Sequence, residues 1–233
     1  MTRTAGGREP GLSLNLLGID TATAASAACV LRADGEAFEH PPEAGRLAER
    51  PGHAAELMPA VERVMAEAGL AYADLGAIAV GVGPGSFTGL RIGVATARAL
   101  GSSAGLQLRP VSSLAALSAG IGAETTLAVI DARRGEVFSA LYEGAEELWP
   151  GDTYEPGELA RRVAESGRTP LAAGDGAVRF RGVFEAAGVQ VAPDGSGAHV
   201  IRGLSICRLA LGVPPAAPQA VLPVYLREPD AKP

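Results

Sequence analysis

Two apolar runs of this chain end on aspartate, and those carboxylates are the groups best placed for chemistry. Leu16 to Asp20 is followed by Thr21-Ala22-Thr23, and Leu127 to Asp131 is followed by Arg133 and Arg134. A carboxylate at the C-terminal end of a buried strand sits where open α/β sheets meet ligands, and it can hold a metal-bound water. Arg133 and Arg134 can meet phosphate, and Gly174-Asp175-Gly176 can let bare backbone lie against an adenine ring. Asp20, Thr21, Asp131, Gly174 and Gly176 are therefore the candidate nucleotide-binding residues. Each has a plainer reading beside it. Asp and Thr commonly satisfy local turn donors, two arginines in a hairpin loop form a solvated tip, and glycines mark any strand-to-helix turn.

A glycine-rich turn, Gly81 to Gly89, opens a helix whose first amides can face an anion, with Thr88 as the expected N-cap. No lysine follows the last glycine, so the turn is not a P-loop. Other chemistry is poorly supported. His40, His53 and His199 share no metal-ligand spacing, Cys29 and Cys207 stand alone, and Ser86 lacks the spacing of a nucleophile elbow. No catalytic residue and no metal ligand is assigned.

The elements that must position these groups repeat. Leu14 to Asp20 and Ala24 to Arg32 read as strands, with Ala33-Asp34-Gly35 as the turn into a third at Glu36 to Glu39. Leu127 to Asp131, a short turn and Glu136 to Tyr142 restate the same strand, aspartate and hairpin order. Between them, His53 to Ala68 reads as a broad apolar helix bearing Leu57, Val61, Val64 and Ala68, with Met58 and Met65 beside them. Pro59 predicts a kink or a later start near Met58. Ala77 to Val82 is a buried strand. The helix after it carries small residues at Gly89, Gly93, Ala97 and Gly101, a nearly bare stripe that costs roughly 1 kcal/mol of helix propensity per glycine. Close packing repays that cost, against either a partner's helix or the protein's own sheet. Helices are expected at Pro156 to Ser166, Ala177 to Ala187 and about Gly197 to Leu211, with a strand at Pro170 to Ala173.

The composition suits a globular α/β protein of two related halves. With 47% hydrophobic residues the chain can bury a substantial core. A net charge of −6 argues against a broad nucleic-acid face. No secretory or membrane-length apolar run is present, and two isolated cysteines suit the cytosol. The expected division is a disordered extension over 1–11, lobes over 12–115 and 116–212, and a proline-rich segment over 213–233 that docks on the body.

Four blocks together, Leu17 to Thr23, His53 to Leu57, Gly81 to Gly93 and Asp131 to Val137, closely resemble the bacterial TsaB (YeaZ) family. The resemblance runs from about Leu14 to Leu226, and Ser86 to Arg91 is its most diagnostic part. It implies the duplicated actin-like ATPase fold (ASKHA) shared by sugar kinases, Hsp70 and actin. It also implies a non-catalytic, cytoplasmic partner of TsaD, the subunit that transfers threonylcarbamoyl to adenosine 37 of ANN-decoding tRNAs. TsaE, an ATPase, joins that pair. TsaD binds its metal through a His-x-x-x-His pair, whose positions here fall on Ser113 and Leu117; a leucine cannot ligate. The resemblance thus implies no cofactor of its own, with ATP and magnesium supplied at the complex interface by partners, and tRNA met only within the complex.

The resemblance further implies a helical interface with TsaD, and a homodimer through the same surface in isolation. His53, Leu57, Met58, Val61, Val64, Arg91, Gly93, Val94 and Ala97 are the candidates for it, over an area on the order of 1,600 Å². The alternative is an active nucleotide-dependent enzyme of the actin-like class, built on Asp20, Asp131 and Gly174 to Gly176. A peptidase, a name sometimes attached to this superfamily, has no assignable triad or zinc motif.

Overall fold

The computed structural model describes residues 14–227. The extension expected over 1–11, and the last residues of the proline-rich segment, lie outside the described residues. Strands β1 (Leu16–Asp20), β2 (Ala27–Leu31) and β3 (Ala37–Glu39) form the opening meander, followed by helix α1 (His53–Ala68). Strand β4 (Ala77–Gly83), helix α2 (Phe87–Ala104) and strand β5 (Gln107–Ser112) complete the first sheet, and α3 (Ser113–Ile121) leaves it. The second meander is β6 (Thr125–Arg133), β7 (Glu136–Glu143) and β8 (Glu146–Tyr154), followed by α4 (Pro156–Glu165). Then come β9 (Leu171–Ala173), the short helices α5 (Asp175–Arg179) and α6 (Arg181–Ala186), β10 (Gln190–Val191) and α7 (Gly203–Ala210).

The two sheets have one topology. The orders are β3-β2-β1-β4-β5 and, read from the other edge, β8-β7-β6-β9-β10. In each, the first three strands are antiparallel and the first, fourth and fifth are parallel. This is the duplicated actin-like fold, its repeat visible as strand order as well as sequence.

The last helix of each half packs toward the other half. Helix α3 lies chiefly on β6, whereas α7 lies on β1 and β2 of the first sheet. Leu114, Ala116 and Leu117 of α3 and Ile206, Cys207 and Ala210 of α7 thus share one buried cluster with the inner faces of both sheets. Residues 203–210, within the range expected for the second lobe, pack on the first sheet. Glu39 fixes that docking: its carboxylate accepts from the Leu204 amide at the start of α7, at 3.0 Å, and pairs with Arg202. Helices α1 and α2 cover the outer face of the first sheet, and α4 to α6 that of the second.

Several local expectations are corrected. Helix α1 runs unbroken through Pro59, which is exposed, so the carbonyl its missing N–H leaves free can meet water. The N-cap of α2 is Ser86, whose hydroxyl accepts from the Gly89 amide at 3.3 Å, and not Thr88. The helix expected over 177–187 breaks at Phe180 into α5 and α6. The one expected over 197–211 splits into a 3-10 turn at Gly197–His199 and α7. Its start is set by Gly203, where a Cβ would lie 2.8 Å from the Ala28 carbonyl carbon. Strands β5 and β8, which carry Pro110 and Pro150, have no counterpart among the expected elements; both are edge strands, where a missing donor is tolerated.

Candidate functional site

The loop after β1 is closed by the molecule itself. Asp20 is 1% exposed; its carboxylate accepts from the Ala22 amide at 2.8 Å and from the Ser113 hydroxyl at 2.7 Å. Burial pushes its pKa up to about 6, against the lowering effect of the Ser113 and Ala22 hydrogen bonds. Gly81 is obligatory beside it, since a Cβ there would stand 1.8 Å from the carboxylate oxygen. The Thr21 hydroxyl donates to the Gly89 carbonyl at 2.8 Å, and the Ser86 amide donates to the Ala22 carbonyl at 2.7 Å.

The small-residue stripe explains how α2 comes so near. A Cβ on Gly85 would lie 2.5 Å from the Ala22 carbonyl oxygen, one on Gly89 2.1 Å from that of Thr21, and one on Gly93 2.2 Å from the Thr21 hydroxyl. The first half of the stripe, Gly89 and Gly93, faces the protein's own β1–β2 loop, and Gly101 faces Leu108 and Pro218. Along this contact with the loop not even a methyl group fits between α2 and the loop. Ser113 is committed to Asp20 and Leu117 is fully buried, near the position a Cβ on Gly174 would take; among the described residues no cluster of three or more His, Cys, Asp or Glu side chains is placed to hold a metal ion.

The corresponding loop after β6 is different. Asp131 accepts from the Arg133 amide at 2.9 Å and from the guanidiniums of Arg179 at 2.7 Å and Arg133 at 3.2 Å. Its own amide donates to Asp175 at 2.9 Å, as does Gly176 at 3.0 Å, and burial pushes the Asp175 carboxyl up to about 6. Gly174 and Gly176 are not open to an adenine ring: a Cβ would stand 2.0 Å from the Val129 carbonyl and 2.9 Å from that of Ile130. They let α5 sit on the β6 backbone.

Between the turn that opens α2 and the β6–β7 hairpin lies a cleft of about 390 Å³, lined by residues 84–88, 131–133, 138 and 224–227. Asp131 is the member of the candidate set that reaches it. Asp20, Thr21, Gly174 and Gly176 do not line it. Phe87, Phe138, Tyr225 and Arg227, which do, escaped sequence reasoning; the one local signal for Tyr225 is its place in the apolar piece Val221 to Leu226 of the proline-rich segment.

The interface candidates divide by burial. Leu57, Val61, Val64, Val94 and Ala97 are within 2% of complete burial and pack against the first sheet, so they are corrected from contact residues to core. Gly93 packs on Thr21, and His53 is buried with its Nδ1 sharing a hydrogen bond with the Ser26 hydroxyl at 2.8 Å. Burial holds the His53 pKa below its ordinary value. Met58 is partly exposed and Arg91 exposed, and with Ile92 and Ala95 they form the outward surface of α1 and α2. Among the described residues, no helix is long and apolar enough to cross a membrane.

Comparison with known proteins gives these features a context. A family model described as TsaD, tRNA N6-adenosine threonylcarbamoyltransferase, matches residues 42–161. An uncharacterized protein of Mycobacterium tuberculosis is 36% identical over 94% of each chain. The Escherichia coli tRNA threonylcarbamoyladenosine biosynthesis protein TsaB is 37% identical, but the match spans only 61% of each chain. A solved Pseudomonas aeruginosa protein, described as similar to peptidase YeaZ, superposes with a TM-score of 0.75 at 30% identity, covering 91% of this chain and 99% of that one.

Proposed function

This chain belongs to the TsaB (YeaZ) family, and we propose that it takes part in tRNA threonylcarbamoyladenosine biosynthesis as a non-catalytic cytoplasmic partner of TsaD. The observation that carries this reading is the sealed β1–β2 loop, against which the start of α2 packs too closely for a methyl group and whose Ala22 carbonyl is taken by the Ser86 amide. Leu117, buried at a position the family resemblance assigns to a metal ligand, supports it further. Transfer chemistry then belongs to TsaD, and ATP and magnesium to TsaD and TsaE; this chain contributes a surface and requires no cofactor of its own. It meets tRNA only within the assembly.

The surface we assign to that contact is the outward side of α1 and α2, around Met58, Arg91, Ile92 and Ala95. The same surface serves a homodimer when the partner is absent. A charge at Val94 would unfold the core and test nothing, whereas Ala95→Arg alters the surface alone.

The test is an omission assay with TsaD, TsaE, the threonylcarbamoyl-adenylate synthase, ATP, threonine, bicarbonate and tRNA. Modified tRNA is expected only when both this chain and TsaD are present, and Ala95→Arg is expected to reduce it. Product formed without this chain would remove the partner reading. Product formed by this chain without TsaD, or magnesium-dependent ATP turnover by the chain alone, would make it an enzyme of the actin-like class.

A further inference from the structure

The described chain ends by crossing the cleft it lines. After α7 on the first sheet, the Ala216 backbone pairs with Leu108 at the edge of β5, and Val221 enters the core beneath α1 and α2. The Val224 amide then donates to the Val82 carbonyl at 2.7 Å. The Tyr225 ring lies 5.2 Å from that of Phe87, and its hydroxyl accepts from Arg91 Nε at 3.3 Å, while the Arg91 guanidinium stacks 3.9 Å above Phe87. Two residues on, the attachment changes lobe: Arg227 donates to the Ala132 carbonyl at 3.0 Å and pairs with Glu136 on the β6–β7 hairpin. One wall of the cleft is therefore tied to the other by a segment four residues long.

We propose that Val224 to Arg227 is a latch that holds the two walls of the inter-lobe cleft together. Its two attachments are chemically different. The first-lobe end rests on a backbone hydrogen bond and an aromatic stack, which persist in salt. At the second-lobe end Leu226 packs partly buried against the inner apolar cluster near Gly151, and the polar attachment is one guanidinium, 30% exposed, shared between a carboxylate and a carbonyl. An ion pair that exposed is weak and screened, so the latch opens from the Arg227 end, leaving Tyr225 seated. Opening at that end frees the β6–β7 hairpin, one wall of the cleft, and only release of Tyr225 as well frees the other, the Pro84 to Thr88 turn. Helices α1 and α4 cover the outer faces of the two sheets, away from the inner cleft, and keep their protection. The proposal does not depend on the partner reading above.

Hydrogen exchange on the full chain tests it. With Tyr225→Ala and Arg227→Ala together, amides of the hairpin at 131–137 and of the turn at 83–88 are expected to exchange about tenfold faster, with α1 and α4 unchanged. Arg227→Ala alone, which removes no core side chain, is expected to accelerate the hairpin and spare the turn; it carries the test if the double variant does not fold. Raising the salt is expected to reproduce the hairpin effect in the wild type. Unchanged exchange at the hairpin in Arg227→Ala would overturn the latch. So would an increase spread equally over α1 and α4, the mark of general destabilisation.

Discussion

The hairpin loop after Asp20 is sealed and the one after Asp131 is open, although the same strand order carries both. Residues 21–25 are buried beneath the first turns of α2, while Arg133, Arg134 and Gly135 are exposed. The two aspartates also differ in partner. Asp20 faces a hydroxyl and an amide, and Asp131 faces two guanidiniums. The covering helix makes the difference. An 18-residue helix with glycine at Gly85, Gly89 and Gly93 along its approach lies flat on the first loop, whereas five-residue α5 seats on β6 and leaves the second loop free. Duplication thus preserved the frame and let one site close.

The sharpest way to break this contrast is to put a methyl group at the sealed contact. Gly89→Ala should destabilise the protein by roughly 3 kcal/mol or more, because the new Cβ meets a backbone carbonyl, overriding the gain in helix propensity of about 1 kcal/mol. Gly135→Ala, at a φ of 86° with open space around it, should cost only about 1 kcal/mol. Equal losses in denaturant titrations of the two variants would remove the distinction between a sealed and an open loop.

Next in size is a pH effect shared by the lobes. Asp20 and Asp175 have folded pKa values raised from 3.8 to about 6, so the folded protein holds their protons more tightly than the unfolded chain. Their contribution is present below about pH 4 and is lost as pH rises to about 6, on the order of 2–3 kcal/mol for each group. Asp20→Asn and Asp175→Asn should each flatten about half of that decline in stability curves measured from pH 4 to pH 7. A slope unchanged in both would show that neither carboxyl is perturbed. Smallest is Asp131→Ala. Its two arginines are 62% and 47% exposed, so the loss should be about 1 kcal/mol and should shrink in high salt.

The parts of this molecule that sequence could reveal were those with a local cause. Paired hairpins, terminal aspartates and the apolar face of α1 follow from period and turn chemistry, and the duplicated sheets follow from them. The stripe on α2 was equally visible, but periodicity does not say which way a helix faces. Leu57, Val61 and Val94 look the same on a partner surface as in a core. The cleft depends on contacts far apart in sequence, such as Tyr225 with Phe87 and Arg227 with Glu136, and no local pattern announces them. Edge strands with proline were missed because the penalty that excludes proline from sheet centres does not apply at their rims.

The placement of α7 on the first sheet has a consequence for the order of events during synthesis. Leu16, Cys29 and Ala79 on the inner face of that sheet share their cluster with Ile206, Cys207 and Ala210, so the face lacks these partners until more than two hundred residues have been made. A nascent chain carrying every strand of the first lobe still shows the ribosome's surroundings an open apolar face. Its folding is therefore a late, nearly whole-chain event, and a fragment ending after β5 is a client for chaperones.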